Sequence, residues 1–142
     1  MKTIKQLLGE APRSPLAISP SDSVYGALEM MAKHDVGALL VMEGERLAGI
    51  CSERDYARKV ILSGKSSRDT QVREIMTEKV FYAQPSQTVD QAMALMTEKR
   101  IRHLPVMEGE KVVGIISIGD LVKETISHQA FVIQQLEHYI SS

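Results

Sequence analysis

The chain has 142 residues, 44% apolar and 25% charged, which suits one compact globular domain and excludes several large ones. Seventeen basic against eighteen acidic side chains leave a formal net charge of −1, without the basic excess needed to wrap a polyanion, so nucleic acid is excluded as the main partner. The single cysteine, Cys51, excludes an internal disulfide and fits a reducing cytoplasm.

In chain order, Ile4, Leu7 and Leu8 predict a short apolar helix. Its run ends at Gly9-Glu10, too soon for a signal-peptide core. A loop carrying Pro12 and Pro15 follows. Val24, Ala27, Leu28 and Met31 sit at i, i+3, i+4 and i+7, one face of a helix. Two apolar runs, Ala38 to Met42 and Leu47 to Cys51, flank a polar tetrapeptide containing Gly44, which reads as a hairpin. Ser52 then opens a helix with Tyr56, Val60 and Ile61 as apolar positions. Ser63 to Thr70 is polar and reads as a flexible connector. Val72, Ile75 and Met76 predict a second short apolar helix, resembling the first at an offset of 68 residues.

From there the chain repeats itself at an offset of 65. Pro20-Ser21 meets Pro85-Ser86, and Val41-Met42-Glu43-Gly44-Glu45 meets Val106-Met107-Glu108-Gly109-Glu110. About 15 of 36 aligned positions are identical, against roughly one in 17 by chance. The fold class is therefore α+β: two β-α-β-β-α units packed about a pseudo-two-fold axis, because one unit alone buries too little apolar area. Residues 1–66, with the N-terminal helix, form the first unit and 67–127 the second. Residues 128–142 form a C-terminal amphipathic helix with an apolar stripe of Phe131, Val132, Leu136, Tyr139 and Ile140, read as a dimer contact.

The chemistry concentrates in Gly49-Ile50-Cys51-Ser52-Glu53-Arg54-Asp55, echoed by Gly114-Ile115-Ile116-Ser117-Ile118-Gly119-Asp120. In each, a strand ends at a hydroxyl and a carboxylate follows three residues later. One reading is a capping box, with Ser and Asp each holding the other's backbone amide. The other is a ligand site, in which the carboxylate accepts a ribose diol and the hydroxyl holds a phosphate oxygen.

These motifs, with the hairpins before them, Ile101-Arg102-His103-Leu104-Pro105-Val106 and the Ile75-Met76-Thr77 lead-in, resemble a tandem pair of cystathionine beta-synthase (CBS) domains, a Bateman module. The resemblance covers about residues 1 to 127 and suggests a stand-alone module. It implies an adenine nucleotide held between the repeats, AMP foremost, with ATP, ADP and NAD also bound in the family, and pairing into a homodimer. It implies that Asp55 and Asp120 bind ribose, that Ser52 and Ser117 contact ribose or phosphate, and that Arg54 and Arg58 reach phosphate. Gly37-Ala38 and Arg102-His103 would border the two pockets, Pro105 belongs to the second of these segments, and Thr77 would line the second adenine pocket. Copy two is the favoured site, since copy one lacks a Met-Thr lead-in.

No Walker loop, metal-ligand cluster or nucleophile–base pair is present in the sequence, so the expectation is a regulatory module and not an enzyme. It would be cytoplasmic, with no membrane partner, sensing a small nucleotide for an unknown regulated protein. The competing reading is a structural dimerisation module whose two Ser-x-x-Asp units are caps only. Cys51 reads as a buried structural thiol and the methionines as core.

Overall fold

The apolar runs become paired strands, and the 65-residue repeat governs their register. The computed structural model describes residues 2–10 and 15–141; Pro12 lies outside the described residues, as does the side chain of Ile140. The elements are α1 (Ile4–Glu10), β1 (Ala17–Ile18), α2 (Val24–His34), β2 (Ala38–Glu43), β3 (Arg46–Ser52) and α3 (Glu53–Tyr56). The last continues as a π turn, Ala57–Ile61. A 3₁₀ turn at Val72–Glu74 then leads to α4 (Val89–Lys99), β4 (His103–Glu108), β5 (Lys111–Ser117) and α5 (Ile118–Ser141).

β2 and β3 pair antiparallel from Ala38↔Ser52, with an irregularity between Val41 and Met42. β4 and β5 pair from His103↔Ser117, with the same irregularity between Val106 and Met107. Both hairpins turn through a two-residue loop whose first residue is glycine at positive φ, Gly44 at 61° and Gly109 at 65°, a backbone shape other residues resist.

The first strand survives only in copy one. β1 runs parallel to β2 through Ala17↔Leu40 and Ile18↔Val41, whereas copy two keeps a single bridge, Ala83↔Val106. Pro105 supplies the reason. In copy one the Leu40 amide donates to the Leu16 carbonyl at 3.1 Å. Pro105 occupies the matched position and has no N–H, so that rung is lost.

The lead-in helices are exchanged between units. Ile4 joins the core of copy two, with Val89, Met96, Leu104, Val106 and Leu121. Val72 and Ile75 join the core of copy one, with Val24, Met31, Leu39, Val41 and Val60. Backbone bonds repeat the exchange: Val89 N–H donates to Lys2 O and Ile4 N–H to Gln87 O, just as Val24 donates to Thr70 O and Val72 to Asp22 O. The expected first unit of residues 1–66 with its own N-terminal helix is therefore corrected, because α1 packs into the other half. A third cluster, of Ala38, Leu40 and Ile50 with Val80, Val112 and Ile115 against it, joins the two hairpins.

Two other expectations change. The connector is tied down: Ser67 O and Thr70 O accept the Tyr25 and Val24 amides, which α2 cannot satisfy internally. Arg68 stacks on the Tyr25 ring at 4.0 Å. Furthermore, no break separates residues 127 and 128, since α5 is one helix of 24 residues. Copy one turns away at Gly64, φ 70°; the matched residue in copy two is Gln129, which lets the helix run on.

Candidate functional site

Each motif is a capping box in the first instance. The Asp55 amide donates to Ser52 Oγ at 3.1 Å, and Asp55 Oδ2 accepts the Ser52 amide at 3.0 Å. Asp120 and Ser117 repeat this at 3.1 and 2.9 Å. The two carboxylates differ in their second oxygen. Asp55 Oδ1 accepts from the Thr77 hydroxyl at 3.3 Å and pairs with Lys59 Nζ at 3.3 Å. Lys59 also donates to Ile75 O at 2.9 Å. The cap thus engages Oδ2, while Oδ1 is held by Thr77 and Lys59, both of which line the cleft.

Thr77 reaches Asp55 because the chain after the exchanged 3₁₀ turn lies along β3. Ile50 and Thr77 exchange backbone hydrogen bonds at 3.0 and 2.8 Å. This contact requires Gly49, where an added Cβ would lie 2.6 Å from the Thr77 carbonyl oxygen. Gly114 repeats the arrangement against Leu8, with a Cβ 2.9 Å from Leu8 Cδ2. The glycine of each Gly-Ile motif is thus the seat of an exchanged lead-in segment.

The resulting cleft measures about 420 Å³ and lies between the repeats. One corner holds Ser52, Asp55 and Thr77, and Ile50, Val80, Phe81 and Ile101 supply an apolar wall. Arg54, Arg58, Lys59, Lys79, Arg100 and Arg102 line it against only two acids, Glu53 and Asp55. The chain as a whole is at −1, so this concentration of positive charge is local. Arg54 and Arg58 face the same way because they are four residues apart, and Arg54 crosses to copy two, donating to Arg100 O at 3.5 Å.

His103 closes the floor. A Cβ on Gly37 would lie 3.1 Å from Glu53 Oε1 and 3.5 Å from the His103 ring, so Gly37 makes room for both. The Glu53 amide donates to Gly37 O at 3.0 Å, and the Ile118 amide to Arg102 O at 2.8 Å, as matched contacts. Burial pushes the His103 imidazole below its usual range, Asp120 and Glu53 oppose the shift, and Arg102 adds to it. Burial also raises the Cys51 thiol to about 12, reinforced by Asp55 and opposed by Lys59.

The structure brings Gly37, Ser52, Arg54, Asp55, Arg58, Thr77, Arg102 and His103 to this one cleft. Ala38 and Pro105 are buried within strands and do not line it. Ser117 and Asp120 do not line this cleft. Thr77 and Arg102-His103 of copy two stand with Asp55 of copy one in this cleft. Lys79, Phe81 and Arg100 belong to the lining although the sequence reading missed them. For Arg100 the 65-residue repeat held a signal, matching it to Asp35 just after the helix of copy one; the structure gives both residues positive φ, 56° and 52°.

A family model described as "CBS domain" matches the chain twice, over residues 8–61 and 72–127. The mitochondrial CBS domain-containing protein CBSX3 of Arabidopsis thaliana is 44% identical over 135 residues, 92% of this chain and 66% of that protein. The chain thus spans just under two thirds of that relative. A solved structure of a protein with CBS domains from Burkholderia ambifaria MC40-6 matches with a TM-score of 0.87 at 53% identity, covering 90% of this chain and 96% of that one. The CBS domain pair of protein MJ0100, solved in complex with 5′-methylthioadenosine and S-adenosyl-L-methionine, matches with a TM-score of 0.80 at 25% identity, covering 90% and 98%.

Proposed function

The chain belongs to the CBS-domain family, and we propose that it is a non-catalytic regulatory module holding an adenine nucleotide in the cleft between its repeats. The observation that carries this reading is Asp55, whose Oδ1 faces the cleft beside Thr77 and Lys59 while Oδ2 holds the cap. A ribose diol would replace Thr77 and Lys59 on that oxygen. The apolar wall of Ile50, Val80 and Ile101 suits a purine face, and the arginines suit phosphate. The adenosine ligands bound by the MJ0100 pair support the adenosine half of this reading. They are not anions, however, and the basic lining here favours AMP, ADP, ATP or NAD over either.

A ligand so placed bridges Asp55 in copy one with Thr77, Arg102 and His103 in copy two. It would favour the arrangement of repeats that it fits best, and so shift the population that a regulated protein meets. The cytoplasm is the proposed location; no described helix is long and apolar enough to cross a membrane.

Asp55→Ala should weaken nucleotide binding at least tenfold, since hydrogen bonds to a carboxylate contribute roughly 1.5–3 kcal/mol. Asp120→Ala is the control, losing the same cap with little loss of affinity. Calorimetry that finds Asp55→Ala unchanged would reject the site. A thermal-shift panel of AMP, ATP, NAD and S-adenosylmethionine with no stabilisation by any of them would favour a ligand-free dimerisation module instead.

That second reading has its own support in α5. Residues 129–139 are all exposed, and a helical segment that short is marginal in water without a packing partner. Val122, Ile126, Ile133 and Leu136, 40–61% exposed, recur at the spacing of a two-helix seam. We therefore propose a homodimer through α5, compatible with either reading.

A further inference from the structure

We infer that the cleft is built for a polyphosphate tail, taking a nucleoside di- or triphosphate in preference to a monophosphate, at one molecule per chain. This rests on the nucleotide reading above and adds the charge of the ligand and its stoichiometry. Lys59 and Asp55 neutralise each other across 3.3 Å. Among the described residues, Arg54, Arg58, Lys79, Arg100 and Arg102 have no carboxylate within ion-pair distance. Glu53 is the remaining acid in the lining. Five cations against one anion leave a surplus of four positive charges.

At neutral pH a nucleoside monophosphate brings about two negative charges and a triphosphate about four. A monophosphate leaves half the surplus facing itself across a cleft of about 420 Å³. Like charges that close repel, because their separation falls within the roughly 8 Å over which physiological salt screens them. Each added phosphate removes repulsion as well as adding attraction. The arginine-rich lining also suits this task, since guanidinium groups grip phosphate oxygens in pairs.

The pseudo-two-fold mate does not share this design. Where this cleft has Arg54, Arg100 and Arg102, the matched positions hold Gly119, Asp35 and Gly37. Lys59 is matched by Glu124, which pairs with Lys2 at 3.3 Å. Lys123 matches Arg58, so among the described residues the positions matched to this cleft carry Lys123 together with the acids Asp35, Asp120 and Glu124. Among the described residues, the charge that an anionic tail needs is therefore gathered in the Asp55 cleft, and the repeat has diverged into two unlike halves.

Isothermal titration of the full chain with AMP, ADP and ATP, in EDTA at low and moderate KCl, tests this. Affinity is expected to rise at least tenfold from AMP to ATP, at one ATP per chain, with the ATP advantage shrinking as salt rises. The double variant Arg58→Gln/Arg102→Gln is expected to lose more ATP affinity than AMP affinity, collapsing the ratio. Equal binding of AMP and ATP, tighter binding of AMP, or two ATP per chain would overturn the inference and leave the nucleotide site standing. Binding of none of the three would overturn both.

Discussion

Ile4 offers the sharpest test of the exchanged lead-in helices. It is 0% exposed, inside the core of the second repeat. Ile4→Ala removes three carbons, worth roughly 2.4 kcal/mol at about 0.8 kcal/mol per buried methylene. The cavity left behind adds to this, so a loss of about 2.5–5 kcal/mol is expected. A loss of 3 kcal/mol would lower Tm by roughly 10 °C in a chain of this length. Magnitude alone does not show which core Ile4 serves; coupling does. Val106 and Val41 are matched by the repeat, both 0% exposed, one in each core. Double-mutant cycles by urea denaturation should find Ile4→Ala coupled to Val106→Ala by about 0.5–3 kcal/mol and additive with Val41→Ala within about 0.5 kcal/mol. Coupling to Val41 in place of Val106 would refute the exchange, as would a total cost below about 1 kcal/mol.

The two motif glycines should differ. Gly49→Ala forces a Cβ against the Thr77 backbone and should cost about 1–3 kcal/mol and weaken ligand binding. Gly114→Ala meets only the flexible end of Leu8 and should cost less; urea midpoints giving the opposite order would contradict the seating role. His103 should make stability depend on pH. Its folded pKa lies below its unfolded value near 6.5, so the unfolded chain takes up the proton first. The stability it contributes is complete above about pH 6.5 and is lost as pH falls toward the folded value. His103→Gln should flatten that part of a Tm-against-pH curve. With its pKa raised to about 12, Cys51 should ignore a thiol-reactive disulfide reagent at pH 8 in the native protein and react fully in urea. Ile133→Glu with Leu136→Glu, at positions 56% exposed, should halve the mass seen by sedimentation equilibrium; a wild-type chain already monomeric at high concentration would dismiss the α5 seam.

Much of the fold was legible because it is local. The helix faces, both hairpins and both Ser-x-x-Asp boxes follow from spacings within about ten residues, where periodicity and turn chemistry act directly. The 68-residue offset of the lead-in helices was legible too, and it reappears in the seating of Leu8 and Met76 against Gly114 and Gly49. The candidate site was legible residue by residue but not as an assembly. Thr77 looked like part of copy two's pocket because it follows the connector, yet the Ile50–Thr77 backbone pairing places it beside Asp55. Pro105 looked like a lining residue because it sits in a suggestive motif; its missing N–H instead shortens a sheet.

By itself, then, the sequence settled that there are two units, what each is made of, and where a carboxylate and a hydroxyl stand at each strand end. Tertiary structure alone decided which helix fills which core and which half of one pocket meets which half of the other. The physical reason is that apolar burial has no direction. The faces of Ile4 and of Val72 with Ile75 would satisfy either core equally well on composition. Only the closure of the whole chain, with its backbone hydrogen bonds from Lys2 to Val89 and from Thr70 to Val24, selects the crossed arrangement.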